Sequence, residues 1–337
     1  MKNTQNIHIA PGNTARRNWL LLPALLFILF SCCACAGLGV SGRAEGGIGG
    51  TGVISVGVIT GLGSIFVNHV EFETTSSTVT LDGLDSDESL LQIGMIVKVE
   101  GTVNLDGKTG IANVVTFDDN VEGPVETIDV AGNRLRVMGQ TVLVDGQTVF
   151  VGWGSDWTLA DLQVNDVLEV SGLQDIDGRI KATFLYLKTA GESSEVSGVV
   201  DNLNGSTFTI NALNVDCSNA VLKDFAVIGI QNGEMVEAKG TFSQGILIAD
   251  QVEKKSAEFS DNDELEIEGI IKTVLSDGQL VIGFIMITPT GSQQVQINSG
   301  TGYEGGNQDD LKIGSRIEVE GNIWNNIIQA DKVEFES

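Results

Sequence analysis

The chain is 337 residues long and sets 19 Lys and Arg against 45 Asp and Glu, a formal net charge of −26. A surface that negative repels phosphate backbones and anionic headgroups, which sets nucleic acid aside as a partner. His8 and His69 are its only histidines, so zinc sites needing several imidazoles are excluded. Gly 42 against Pro 4, with many Val, Ile and Thr, points to a turn-rich all-β protein rather than to disorder.

Residues 1–31 have the form of a signal peptide: a polar stretch closing on Arg16-Arg17, then the unbroken apolar run Trp19–Phe30. That run is too short to span a ~30 Å bilayer core as a helix. Leu29-Phe30-Ser31-Cys32 resembles the lipobox of bacterial lipoproteins, with Phe30 in place of the usual small residue. Lipidation is therefore expected at Cys32; Cys35, and ordinary cleavage after Ala36 in Ala34-Cys35-Ala36, are the alternatives. Each predicts export, and lipidation makes the membrane a partner through an N-terminal anchor. Cys33 is not the aspartate associated with inner-membrane retention, which favours the outer membrane where the cell has one. Residues 32–52 read as a Gly-rich tether. Within them Gly47–Gly52 fits G-x-G-x-x-G, but neither a strand before it nor a helix after it is predicted, so no dinucleotide loop and no cofactor follow.

Four modules come next, expected at 53–119, 120–191, 192–257 and 258–337. Leu91-Gln-Ile-Gly94-Met-Ile-Val97-Lys-Val99-Glu-Gly101 recurs as Leu162–Gly172, Ile230–Gly240 and Leu311–Gly321, the closing glycines lying 71, 68 and 81 residues apart. Each copy opens on a glycine-containing strand (Val56–Ile59, Glu122–Val125, Ser197–Val200, Glu268–Ile271) and ends on an alanine-bearing one. Period-two alternation predicts five strands per copy. Thr158-Leu-Ala-Asp161 has capping-box form and predicts one helical turn before the fourth strand; Ala226 at the same place in copy three predicts its absence there. This is the plan of a small OB-like barrel, with a sandwich as the alternative. Residues 254–268 read as a charged linker.

Gly46–Gly52 behind a lipoprotein-like leader, followed by Phe117-Asp-Asp-Asn-Val-Glu-Gly-Pro-Val125 between the first two modules, resembles a bacterial family of exported proteins. That family is catalogued as domain of unknown function 5666, with OB-like repeats ending in L-x-x-G-x-x-V-x-V-x-G. The resemblance covers most of residues 46–337. It implies an envelope location and β-barrel modules, and it brings no catalytic residue.

Residues able to do chemistry are few. His69 falls in the predicted turn between the second and third strands, and Cys217 lies beside Asp216, which disfavours a thiolate. The acidic clusters Asp82–Glu88, Asp118-Asp119, Asp175–Asp177 and Asp261–Glu264 offer oxygens of the kind calcium takes, but none fits an EF-hand loop. They are read as solvated faces, and no metal site is assigned. Carboxylate pairs for hydrolysis cannot be singled out among 45 acids. Trp153, Trp157 and Tyr303, in loops before the helical turn of their modules, are the candidate ligand-binding residues, with core packing as their alternative role. The expectation is a non-enzymatic, lipid-anchored envelope protein acting as a structural or interaction scaffold, or alternatively binding an oligosaccharide or peptide on its barrel faces.

Overall fold

Strands of alternating parity account for nearly all of the regular structure in the computed structural model, which describes residues 52–152, 157–189, 194–255 and 259–336. The leader, Cys32, Cys35, Ala36, the tether before Gly52 and Trp153 lie outside the described residues. Barrel 1 comprises β1 (Gly52–Val58), β2 (Ile65–Val67), β3 (Val70–Glu73), β4 (Thr78–Leu81), β5 (Leu84–Ser86), β6 (Ile96–Val103) and β7 (Thr109–Phe117). Barrel 2 follows with β8 (Val121–Asp129), β9 (Arg134–Val137), β10 (Gln140–Leu143), β11 (Val149–Val151), β12 (Val167–Gln174) and β13 (Ile180–Lys188). Barrel 3 has β14 (Ser194–Val199), β15 (Asp201–Asn204), β16 (Thr207–Ile210), β17 (Leu213–Asp216), β18 (Val221–Lys223), β19 (Met235–Ser243) and β20 (Ile246–Lys254). Barrel 4 has β21 (Glu264–Ser276), β22 (Val281–Thr288), β23 (Gly291–Gln296), β24 (Gly302–Glu304), β25 (Arg316–Trp324) and β26 (Ile327–Phe335). The predicted linker is thus shorter than 254–268: Leu265 and Ile267 point into barrel 4, and the strand already begins at Glu264.

In barrel 2 the ladder closes on itself as β8–β9–β10–β13–β12–β8, with the β10–β13 contact parallel and the rest antiparallel. Barrel 4 closes identically through β21–β22–β23–β26–β25–β21. This is the OB-like order rather than a sandwich. In barrel 3 the first strand breaks at Val200 into β14 and β15, and β15 pairs β16. Barrel 1 closes through a single bridge between Gly61 and Phe66. A 3₁₀ turn precedes the fourth strand in barrels 1, 2 and 4, at Glu88–Leu90, Leu159–Asp161 and Gln308–Asp310. The capping box at Thr158 and Asp161 is formed, and Asn307 with Asp310 repeats it. Among the described residues barrel 3 lacks this turn, as Ala226 predicts.

The repeated motif has a steric origin. Its fourth position, Gly94, Asn165, Gly233 or Gly314, has φ between 75° and 95° in all four copies, a conformation that Gly and Asn tolerate best. Its closing glycine sits at a β-bulge between the fourth and fifth strands, where register shifts at Gly101, Gly172, Gly240 and Gly321 alike. A Cβ there would overlap the carbonyl oxygen of Ile111, Lys181, Ile248 or Gln329 respectively.

The barrels are not beads on a string. The N-terminal half of each first strand has one edge that its own barrel leaves open, and a neighbour fills it. β8 pairs β14 antiparallel, setting Glu122 opposite Glu195 and Val121 opposite Val196. β1 pairs β21 in parallel from Val53–Glu264 to Val56–Ile267. Barrels 2 and 3 share one hydrophobic core, Phe184 of barrel 2 enters the core of barrel 1, and Val56 of barrel 1 enters that of barrel 4. Ile96, Leu173 and Ile270 join barrels 1, 2 and 4 in a small further cluster. At the barrel 1–4 seam, Asn68 Nδ2 donates to Ser55 Oγ at 3.1 Å and to the carbonyls of Val56 and Glu266 at 3.2 Å.

Replacing Gly172 with Ala therefore forces the bulge open and is expected to destabilise the protein by roughly 1–3 kcal/mol in denaturant unfolding. Gly146→Ala, where an added methyl would meet open space, should be neutral or stabilise by a few tenths up to about 1 kcal/mol. Equal losses in the two variants would refute the steric origin of the motif.

Candidate functional site

The β8–β14 seam carries one row of side chains straight across five strands. Reading the Cα partners from β13 through β12, β8, β14 and β19 gives Tyr186, Glu169, Glu122, Glu195 and Lys239. All five occupy the outward parity of their strands, whereas Leu168, Val170, Val121 and Val196 fill the barrel interiors. The outward face is nevertheless covered: Glu122, Glu169 and Glu195 retain only 5–6% exposure. Like charges directly opposite one another destabilise a sheet, so three adjacent glutamates require compensation.

Two lysines supply part of it. Lys188 Nζ lies 2.8 Å from Glu122 and 3.0 Å from Glu169, and Lys239 Nζ lies 2.8 Å from Glu195 and 3.3 Å from Glu237. Lys239 also donates to the Asp82 carbonyl at 3.1 Å, which ties barrel 3 to the β4–β5 turn of barrel 1. Asp82 Oδ1 accepts from the Asp119 backbone N–H at 3.1 Å, holding that turn to the connection between β7 and β8.

Carboxylates still outnumber ammonium groups, and their proton affinities rise accordingly. Burial pushes Asp82 up to about 6, against the pull of the Asp119 N–H and Lys239. Burial likewise lifts Glu169 to about 7 and Glu195 to about 8, the charge of Glu237 adding to the latter. Asp119 is raised well above the carboxylate range by burial and by Glu195, Asp82 and the neighbouring glutamates. Burial alone would lower Lys188 and Lys239, but their glutamate partners outweigh it and both ammonium groups are held charged.

Above this row opens a cleft of about 850 Å³. Its floor includes Asp82, Glu122, Glu169, Lys188, Glu195 and Lys239. Leu81, Leu84, Leu90 and Met95 of barrel 1 and Val151, Phe184 and Tyr186 of barrel 2 form an apolar wall. Phe184 stands edge-on to Phe117 and stacks with Tyr186, both at 6.4 Å between ring centroids. An apolar cleft with a few convergent polar groups is the usual form of a ligand site.

Asp82, of the acidic cluster singled out from sequence, lines this cleft, but the described aromatic candidates lie elsewhere. Trp157 is 7% exposed and meets Phe150 edge-to-face at 4.9 Å; it packs with Leu159 and Leu162 in the barrel 2 core. Tyr303, in β24, packs against the core of barrel 4, and burial raises its phenol. Of the three expected anchors, Trp157 and Tyr303 therefore take their alternative role in two separate cores, while Trp153 lies outside the described residues. His69 sits in the β2–β3 turn with φ of 65° and lies 4.0 Å from Glu318. The Cys217 thiol donates to the Ser206 carbonyl at 3.0 Å and is pushed up by burial and by Asp216, as expected of an inert thiol. Asp175 and Asp177 pair with Arg179 at 2.8 and 3.0 Å. Asp119, 2% exposed, and Asp175, 5% exposed, correct the solvated reading of the Asp118-Asp119 and Asp175–Asp177 clusters. Among the described residues no helix is long and apolar enough to cross a membrane.

The family model of a domain of unknown function, DUF5666, matches the chain four times, at residues 51–115, 122–185, 197–253 and 268–334. The chain belongs to the DUF5666 family. Each match covers one barrel, so the DUF5666 repeat and the OB-like barrel are the same unit. No curated protein matches the chain.

A second carboxylate cluster lies at the barrel 1–4 seam of this DUF5666 protein, where Glu266 pairs across with Glu320 and Glu268 with Glu318. Burial, then the charges of Glu334 and Glu320, raise Glu318 to about 8. A carboxyl raised in the folded state favours folding fully below its unfolded value near 4.5, and that contribution disappears as pH climbs through 8. Unfolding free energy in EDTA buffer is thus expected to fall between pH 5 and pH 8, and Glu318→Gln to flatten the slope. A wild-type profile rising over that interval would contradict the assignment.

Proposed function

We propose that the protein is an exported, lipid-anchored component of the cell envelope that works by binding: its barrels form a scaffold and the cleft holds a basic segment of a peptide or protein partner. The observation that supports this reading is the row Glu169–Glu122–Glu195 at the foot of a cleft walled by Phe184 and Tyr186. A lysine or arginine entering there meets carboxylates in excess over Lys188 and Lys239, where partial exclusion of water strengthens each charge contact. Its aliphatic stem packs along the apolar wall, with the Tyr186 ring offering a cation–π face. The net charge of −26 adds long-range attraction for a basic partner. Among the described residues the cleft lining holds no histidine or cysteine, which supports a binding role over nucleophilic catalysis. The signal-peptide form of residues 1–31 and the lipobox-like Leu29–Cys32 support export and anchoring.

Calorimetric titration of the mature chain with a short Lys- and Phe-containing peptide should show binding that weakens as salt is raised. Glu169→Gln and Tyr186→Ala are each expected to weaken it about tenfold, ~1.4 kcal/mol. Equal binding of an acidic counterpart peptide or of a neutral oligosaccharide, or undiminished binding by both variants, would overturn the reading. Mass spectrometry of the mature N-terminus should find acylated Cys32; unmodified Gly37 as first residue would remove the anchor.

A further inference from the structure

Asp119 is the least explained polar group in the molecule. Its residue is 98% removed from solvent, at 2% exposure, and neither carboxylate oxygen has a hydrogen-bond partner among the described residues. Its backbone is fixed, because its N–H donates to Asp82 Oδ1. The same carboxylate belongs to two clusters, Asp82–Asp119–Glu195 and Asp119–Glu122–Glu169, in each of which one oxygen per residue lies within 4.8 Å of the others. Two oxygens bound to one calcium ion at 2.3–2.6 Å stand at most roughly 4.6–5.2 Å apart, so these spacings suit a shared ion.

The lysines leave room for one. Lys188 holds Glu122 and Glu169 each by Oε2, and Lys239 holds Glu195 by Oε2. The Oε1 atom of Glu195 is buried without a partner. Five carboxylates thus share two ammonium groups, one of which, Lys239, also serves Glu237, a negative excess that a buried site cannot leave uncompensated.

We propose that this cluster binds one divalent cation of the calcium class, with Asp119 as the ligand shared by both triads. The donor set is oxygen only, without histidine or cysteine, which disfavours zinc and the softer transition metals. A carboxylate-rich, water-poor set also suits calcium better than magnesium, which keeps several of its waters. The ion joins barrel 1 through Asp82, barrel 2 through Glu122 and Glu169, and barrel 3 through Glu195. With the ion in place the five carboxylates retain at least one negative charge in excess, so the cleft above stays suited to a basic ligand. The ion site stands whatever the cleft binds.

The test is thermal unfolding of the EDTA-stripped mature chain without peptide, with and without 1 mM CaCl₂. The expected result is a rise in Tm of roughly 5 °C with calcium, larger than with the same concentration of magnesium. Asp119→Asn should abolish the rise, while in EDTA it unfolds no earlier than wild type because a crowded carboxylate has been neutralised. Should that variant fail to fold, Glu195→Gln takes its place, with calcium affinity in calorimetry expected to drop at least tenfold. Asp177→Asn, in the exposed β12–β13 turn, should keep the full response. No calcium response in wild type, an equal response to magnesium, or an undiminished response in whichever cluster variant folds overturns the proposal. Peptide titration in EDTA is read separately, so loss of the ion site and loss of the peptide site are distinguishable.

Discussion

The open edge of each barrel's first strand governs how the molecule is put together. In a five-stranded closed barrel this strand is long and bent, pairing the fourth strand along its first half and the second strand along its last. β8 meets β12 from Val121 to Pro124 and β9 only from Val125 onward, so one edge of its N-terminal half has no partner within barrel 2. An exposed strand edge is a template for unwanted pairing. Here it is occupied from within the chain, by β14 for β8 and by β21 for β1. A module of about 70 residues buries too little surface to be very stable alone, and these ladders make each barrel part of its neighbour's wall.

Sharing a wall changes the meaning of strand parity. In an isolated barrel the outward side chains of β8, β12 and β14 would be solvated, and glutamate would be an ordinary residue there. Once the first strands pair and barrel 1 docks by the entry of Phe184 into its core, the same positions fall below a tenth of their free exposure. Charge that was harmless on a surface becomes costly inside, and the lysines at the ends of the row meet part of that cost. The remainder appears as raised carboxyl affinity for protons at Asp82, Glu169 and Glu195. The packing of the barrels thus creates the electrostatics of the cleft.

This explains which features were legible in the sequence. The barrel plan, the motif glycines, the capping turns and the missing turn of copy three are local, each set by sterics or hydrogen bonds within one module. Asn68-His69 as a turn is local too. The face outside a barrel is different, because period two says which side chains point inward and nothing about what covers the others. Asp119, Glu122, Glu169 and Glu195 look like solvated acids until the neighbouring barrel is present. Phe184 and Tyr186 were hidden for another reason: by period two they share the parity of Ile180 and Ala182, which point inward, and only the bulge around Thr183 turns both rings outward with Lys188. Of the aromatics that drew attention instead, Trp157 and Tyr303 stand beside Gly-rich segments of sequence, yet their rings pack in the cores of barrels 2 and 4.

Four similar modules dock in one arrangement, and the charges at two repeat positions differ among them. The position three before the motif's closing glycine reads Glu169, paired with Lys188, in barrel 2 and Glu237, paired with Lys255, in barrel 3, both as close ion pairs. In barrel 1 the polarity is reversed: Lys98 stands where the glutamates stand, and Asp118 where the lysines stand. Lys98 turns to Glu100 at 2.7 Å, which leaves Asp118 to reach Lys255 of barrel 3 at 3.5 Å. A copy with the polarity of barrel 2 in that place would set lysine against Lys255, with both partly removed from water. Repulsion at the wrong site discriminates among near-identical partners as effectively as attraction at the right one. The inversion in the first repeat therefore sets an acid rather than a base against Lys255, at the junction where barrel 1 brings Asp82 and Asp119 to the acid row.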